Sequence, residues 1–399
     1  MAWLRDNSLE CGVRTLGLTV ICMGSMAGWA GTRSAVFYAA DGIIPHPATV
    51  LLRNESVGRE LRLDVEERAV VRRAVDEVDL ALWRLRDRAR GERARESRPL
   101  LARLEGNLSR TLTSRQLGRF NQILLQAQGM SSLLVDEVAR RLLLTSRQTE
   151  QIRTALDALG AELAHARQRD PPSARRIQAE VERNIVALLH SRQRQKLLAL
   201  MGEGFDLSRI RNIACPAPAL RGVTTWLNSE PLTLDDLRGK VIVVHFYTFG
   251  CINCVRNLPH YNAWRQRFDP TRVALIGIHT PETETERDVE RVRQKAAEAG
   301  IAYPVAVDND RANWDAWANN VWPAVYLIDK QGFVRYWWYG ELAWQSAPGE
   351  KWMRSKIAEL LAEQPPVLTA AGSCDSEAEA APVKVMCTPE FSRKKELRR

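Results

Sequence analysis

Residues 240–261 read KVIVVHFYTFGCINCVRNLPHY, and this stretch constrains the fold more than any other. Residues 240–249 form an almost unbroken apolar run, the pattern of a strand buried on both faces. Such a strand needs helices packed on each side of its sheet, which points to an α/β layer architecture. Directly after it come Cys251 and Cys254, at the point where the strand ends and a helix opens. A C-x-x-C pair alone fits a redox couple, half of a zinc site or two ordinary buried thiols. Zinc needs four ligands, and the chain has no second pair: Cys215, Cys374 and Cys387 stand isolated. No metal ligand set is therefore expected. Helix-start amides and the positive end of the helix dipole stabilise a thiolate, so Cys251 is expected to be the exposed, acidic thiol and Cys254 the buried one.

The surroundings repeat the strand–helix alternation. RVALIGIH (272–279) is a second buried strand, a helix is expected over 284–299, and AYPVAVD follows. A short helix near Trp314 leads to WPAVYLID (322–329), a Lys330-Gln331-Gly332 turn, FVRYWWYG and a last helix over 350–363. Trp322-Pro323 sits at a strand start, where proline is tolerated, and X-Pro is the one common setting for a cis peptide. Pro259 falls inside the helix opened by the cysteines, where it is expected to kink it.

GKVIVVHFYTFGCINC, IGIHTPE and WPAVYLIDKQG together resemble the thioredoxin-like thiol–disulfide oxidoreductases of the TlpA/ResA/DipZ type. The resemblance covers residues 215–363 and implies a thioredoxin-like α/β domain. It implies that Cys251 and Cys254 are catalytic, with no cofactor beyond their redox-active disulfide. It also implies that Pro323 shapes the active site and that Trp322 and Pro323 bind an extended substrate segment. Its further implications are protein disulfide or dithiol substrates, a membrane thiol reductant, and work in cytochrome c maturation or envelope redox homeostasis. Two positions depart from the family pattern. His245 stands where many thioredoxins carry a buried Asp, and either shuttles protons or is a core spectator. Gly250 stands where a Trp is usual. His279 and Glu282 close a neighbouring strand and either stand at the active-site rim, since loops at strand C-termini share one edge of such a sheet, or belong to a structural turn.

The first half reads differently. Apolar residues recur at threes and fours, as in Val71, Val75, Val78, Leu82 and Leu85, so an all-α helical domain is expected over 57–213. Within residues 57–211 stand 30 basic and 21 acidic side chains, a surplus equal to the whole net charge of +9. Acids interleave the arginines and no set of aromatics accompanies them. This points to a solvated helical surface, and no nucleic-acid partner is expected. Leu112-Thr113-Ser114-Arg115-Gln116 recurs as Leu144-Thr145-Ser146-Arg147-Gln148, with a degraded copy at Leu189–Gln193. Each copy reads as a capping box and therefore as a helix start. The motif also resembles the LTxxQ signature of periplasmic helical chaperones related to Spy and CpxP.

Residues 1–30 contain TLGLTVICMGSMAGWA, which has the length and small-residue finish of a secretory signal, or else serves as an N-terminal anchor. Residues 31–56 are expected to be a linker and 364–399 a disordered tail. The expected location is periplasmic or otherwise extracytoplasmic. Two competing functions stay open. One is a peroxiredoxin-like thiol peroxidase, since Thr248 lies three residues before Cys251, although Val244 occupies the place of that motif's proline. The other is a helical client-binding protein with a secondary redox domain.

Overall fold

The computed structural model describes residues 44–363 with the exception of 170. The expected leader or anchor, the first part of the linker and the tail, with Cys22, Cys374 and Cys387, lie outside the described residues. No described helix is long and apolar enough to cross a membrane.

The helical module comprises α1 (Pro47–Leu52), α2 (Glu55–Glu60), α3 (Val65–Arg84), α4 (Arg90–Thr111), α5 (Ser114–Gln128), α6 (Asp136–Leu142), α7 (Ser146–Arg169), α8 (Pro171–Ala187) and α9 (Ser191–Met201). α1 and α2 correct the expected linker, because the chain is already helical from Pro47. Their short length hides them from periodicity, and α1 is held by burial, with its residues 47–51 all inside the core. The module's core is aliphatic, built from Leu101, Leu104, Leu108, Leu124, Leu133, Ile152 and Ile185 around Phe120.

The repeated motif starts helices as its chemistry requires. Thr113 accepts from the Gln116 amide while the Gln116 side chain accepts from the Thr113 amide, and Thr145 and Gln148 do the same. Asp64 and Glu67 form a further capping box, so Leu63–Glu67 is another copy with acids in place of Thr and Gln. The boxes then pair. Gln116 Nε2 donates to Glu67, and the Gln148 and Gln193 amides exchange hydrogen bonds of 2.9 and 3.2 Å. The start of α3 is thereby tied to that of α5, and the start of α7 to that of α9.

The second half is a seven-stranded sheet with three central parallel strands. Its elements are β1 (Cys215–Pro216), β2 (Thr225–Leu227), β3 (Val241–Tyr247), α10 (Ile252–Arg267), β4 (Val273–His279), α11 (Val289–Glu298), β5 (Val305–Val307), α12 (Ala312–Ala316), β6 (Ala324–Ile328), β7 (Phe333–Tyr339) and α13 (Gly349–Ala362). The strand order is β1-β7-β6-β3-β4-β5-β2; β3, β4 and β5 are parallel, and β6 and β7 are antiparallel. This is the thioredoxin-like α/β domain expected.

Every residue of β3 is buried, and its alternation feeds two cores. Val241, Val243 and Tyr247 pack with Leu258, Tyr261 and Trp264 of α10 and with Met353 and Ile357 of α13. Ile242, Val244 and Phe246 pack on the opposite face with Trp314 of α12, with Trp317 just after it and with Trp83 of α3. The helical module therefore contributes to the sheet's own core. Trp83 meets Trp317, Tyr326 and Trp337 edge-on at 5.8–6.3 Å, the arrangement aromatic quadrupoles favour. The expectation of a solvated arginine surface over 57–211 fails at Arg86, and just before that region a second arginine is also inside. Arg53 is buried against Asp79 at 2.6 Å, and Arg86 is buried against the sheet domain.

Candidate active site

Three strand ends meet at one edge of the sheet. Tyr247 pairs with His279, Phe246 pairs with Ala324, and the loops 248–251, 280–283 and 319–323 leave from there. Cys251 caps α10, and its Sγ accepts from the Cys254 amide at 3.4 Å. Both cysteines are free thiols; Cys251 is half-buried and Cys254 has no exposed surface.

That geometry separates the two thiols. A hydrogen bond from the Cys254 thiol, joined by the amides of Cys254 and Asn253, holds the Cys251 thiol down at about 7, against partial burial and the charge of Glu282. Burial drives Cys254 strongly upward, and its role as donor to Cys251 adds to that. Asn257 fixes the next turn of α10, giving to the Gly340 carbonyl at 3.0 Å and receiving from the Leu342 amide at 2.8 Å. Pro259 lies within α10, which continues unbroken past it to Arg267.

The buried Glu286 joins two of the loops. Its Oε1 accepts from the Gly250 amide at 3.0 Å, and its Oε2 accepts from the amides of Glu282 and Thr283 at 2.7 and 2.8 Å. Burial works against the charge, but these amides hold the carboxyl below its usual range. Sequence reasoning missed this residue, although Thr283-Glu284-Thr285-Glu286 spells the same capping box as the helical repeats. It also explains Gly250, since a Cβ there would lie 2.2 Å from Glu286 Oε1.

His245 sits in the core on the Cys254 side of the sheet. It stacks on Tyr261 at a ring separation of 4.1 Å and bonds Tyr303 Oη at 3.0 Å. Burial lowers its pKa to about 3, so the ring is neutral at ordinary pH. Electrostatic coupling to Cys254 falls on the phenols of Tyr247 and Tyr261, two further groups the sequence reading did not single out. His279 is fully buried, stacked on Phe249 at 5.5 Å and 3.4 Å from Thr248 Oγ1, with burial holding it neutral at about 4. It is a core residue beneath the rim. Glu282 is exposed, and its charge is felt by both cysteines.

The Trp322–Pro323 peptide is cis. Pro323 is buried and its carbonyl is taken by the Gly340 amide at 2.8 Å. Trp322 is part-exposed and stacks on Trp314 at 3.9 Å. Among the described residues its own amide and carbonyl have no backbone partner. Ile252, Val255, Val321 and Trp344 are exposed on the segments bordering Cys251 and Pro323, and Arg256 lies 3.7 Å over the Trp344 ring. No group of three or more His, Cys, Asp or Glu side chains among the described residues could hold a metal ion.

Residues 213–337 match the AhpC/TSA family model. The thiol-disulfide oxidoreductase YkuV of Bacillus subtilis is 32% identical over 149 residues, which cover 37% of this chain and 95% of YkuV. The chain belongs to the thioredoxin-like thiol–disulfide oxidoreductases. Within that family, protein DipZ of Mycobacterium tuberculosis is 45% identical over 128 residues, 31% of this chain. Those residues span only 18% of DipZ. The thiol-disulfide oxidoreductase ResA of Bacillus thuringiensis is 27% identical over 112 residues, covering 28% of this chain and 62% of ResA. The stretch matched by the family model, residues 213–337, lies in the half that carries Cys251 and Cys254.

Proposed function

We propose that the chain exchanges a dithiol for a disulfide with extracytoplasmic protein substrates. The observation that carries this reading is the asymmetry of the pair: Cys251 is half-exposed with a thiol near 7, and Cys254 is buried with its thiol raised. Cys251 thiolate attacks one sulfur of a substrate disulfide, forming a mixed disulfide and expelling the other substrate sulfur as a thiolate. Cys254 then loses its proton and attacks Cys251 Sγ, expelling the second substrate thiolate. Two electrons pass from the cysteine pair to the substrate, and the chain is left with a Cys251–Cys254 disulfide. The reverse sequence oxidises a substrate dithiol. The pair is the only redox group this chemistry requires.

The free backbone groups of Trp322 suit the addition of an extended substrate segment, and the exposed Ile252, Val255 and Val321 suit apolar residues beside the target disulfide. The apolar stretch in residues 1–30 supports an extracytoplasmic location, where disulfides persist, and a membrane thiol carrier as the electron donor. Cytochrome c maturation and envelope redox homeostasis are settings in which that chemistry is used. The test is covalent trapping. With a disulfide-bonded protein such as insulin, Cys254→Ser should accumulate a mixed disulfide and Cys251→Ser should not. Adducts on Cys251→Ser alone would reverse the assignment of the two thiols.

A further inference from the structure

We infer that the helical module positions the substrate-docking loop of the sheet domain, with Arg86 as the positioning residue. This rests on the reading above in which Trp322 docks substrate. α12 is a five-residue helix. The amides of residues 317–319 take the carbonyls of Asn313, Trp314 and Asp315, and the carbonyls that follow, of Ala316, Trp317 and Ala318, need other donors. Two arginines from the other module fill that role. Arg84 Nη2 donates to Ala316 O at 3.2 Å, and Arg86 Nη2 donates to Trp317 O at 2.9 Å and Ala318 O at 3.0 Å. Cations at a helix C-terminus complement the dipole as well as the carbonyls. Ala318 adopts the left-handed region, with φ of +47°, a strained setting for alanine that its surroundings must hold in place.

Arg86 is suited to this duty. Its side chain is buried, lies flat over Trp83 at 3.8 Å, and gives further hydrogen bonds to Tyr339 Oη at 2.6 Å and Tyr326 Oη at 3.1 Å. A planar guanidinium can serve four acceptors around one plane, which an ammonium on a flexible stem cannot. From α12 the contact runs on to the active site. Trp317 packs against Trp83, and Trp314 stacks on Trp322, the residue before Pro323. Phe246 meets both Trp317 and Trp314, at 5.7 and 6.2 Å, so a continuous aromatic layer connects a residue of the helical module to the docking loop. The module would accordingly set how tightly substrate binds while leaving the thiols unaltered, since no Arg86 contact involves Cys251 or Cys254.

The test uses the full chain carrying Arg86→Lys, Arg86→Gln or Arg84→Ala. Arg84 is exposed, so the last variant keeps the fold if the buried substitutions do not. For Arg86→Lys we expect KM for a protein disulfide to rise about fivefold, the pH midpoint of Cys251 alkylation to stay put, and amide exchange over residues 317–322 to accelerate. Arg84→Ala should give a smaller change in the same two quantities. Combined with Trp322→Ala, Arg86→Lys should add less than about twofold, because both act through one element. Folded variants with wild-type exchange over 317–322 overturn the inference, and so does a fully multiplicative double mutant. If Trp322→Ala alone leaves KM unchanged, the docking role of Trp322 falls, and the exchange measurement still decides whether Arg86 positions the loop.

Discussion

Gly250 and Glu286 are made for each other: the Gly250 amide gives 3.0 Å to the buried carboxylate, and a Cβ on residue 250 would stand 2.2 Å from the same oxygen. The clash would be with the tip of a side chain, but three backbone amides pin that tip. Gly250→Ala should therefore destabilise the protein by about 1–3 kcal/mol, as overpacking does, and loosen the loop before Cys251. Glu286→Ala removes the acceptor and leaves the amides unmet, at a cost of about 1–3 kcal/mol for each that water cannot reach. Urea melts of both variants give these values; a change within about 0.5 kcal/mol would show that Glu286 is a passive surface acid. The contribution also has a pH signature. The native carboxyl lies below its ordinary 4.5, so the stabilisation is complete above that pH. It disappears as pH falls through the depressed native value, and Glu286→Ala should be less sensitive to acid over that range.

Glu282 should keep the Cys251 thiol from becoming more acidic. Its charge raises both cysteines, while the Cys254 thiol and the helix-start amides lower Cys251. Glu282→Gln should move the alkylation midpoint of Cys251 below about 7 and make the reduced pair a weaker reductant, because a stabilised thiolate favours the dithiol. Thiolate absorbance against pH reads the first effect, and equilibration with glutathione reads the second. An unmoved or higher midpoint contradicts the electrostatic account.

Tyr247 should help Cys254 to leave its protonated state. The phenol is buried, is coupled to the Cys254 charge, and its hydroxyl has no hydrogen-bond partner among the described residues. When Cys254 becomes a thiolate to resolve the mixed disulfide, that hydroxyl is a ready donor. Tyr247→Phe should slow resolution by about tenfold to a hundredfold, roughly the value of one hydrogen bond to a charge, and leave the Cys251 alkylation profile unchanged. Rapid quench of a preformed mixed disulfide separates that step from the first attack. Equal resolution rates would leave Tyr247 as packing alone.

The sheet and the cysteine pair were legible because their signals are local. Residues 240–249 form an apolar run rich in β-branched residues, which suits a buried strand, and the turn after it places Cys251 on a helix start. The edge strands Cys215–Pro216 and Thr225–Leu227 are too short to leave a pattern, and so are Pro47–Leu52 and Glu55–Glu60. Leu63–Glu67 was passed over because Asp and Glu replace Thr and Gln while performing the same capping. Arg86 looked like one more arginine of a solvated face, and its burial depends on carbonyls of Trp317 and Ala318 more than two hundred residues further on. Glu286 was likewise hidden by distance, since its partner Gly250 is 36 residues away. Periodicity and short motifs register neighbours in sequence; charges that serve distant backbone groups leave no such mark.

The central claim is that one thiol, Cys251, is the nucleophile of the pair and that the fold has prepared it for that role. The most direct measurement is the rate of alkylation of the fully reduced protein against pH, with the modified residue identified by peptide mapping. The account predicts that, of the pair, Cys251 is labelled first, with a midpoint near 7, and that Cys254 stays unlabelled until the protein unfolds. A midpoint at the ordinary thiol value of 9.0 for Cys251, or earlier labelling of Cys254, would contradict it.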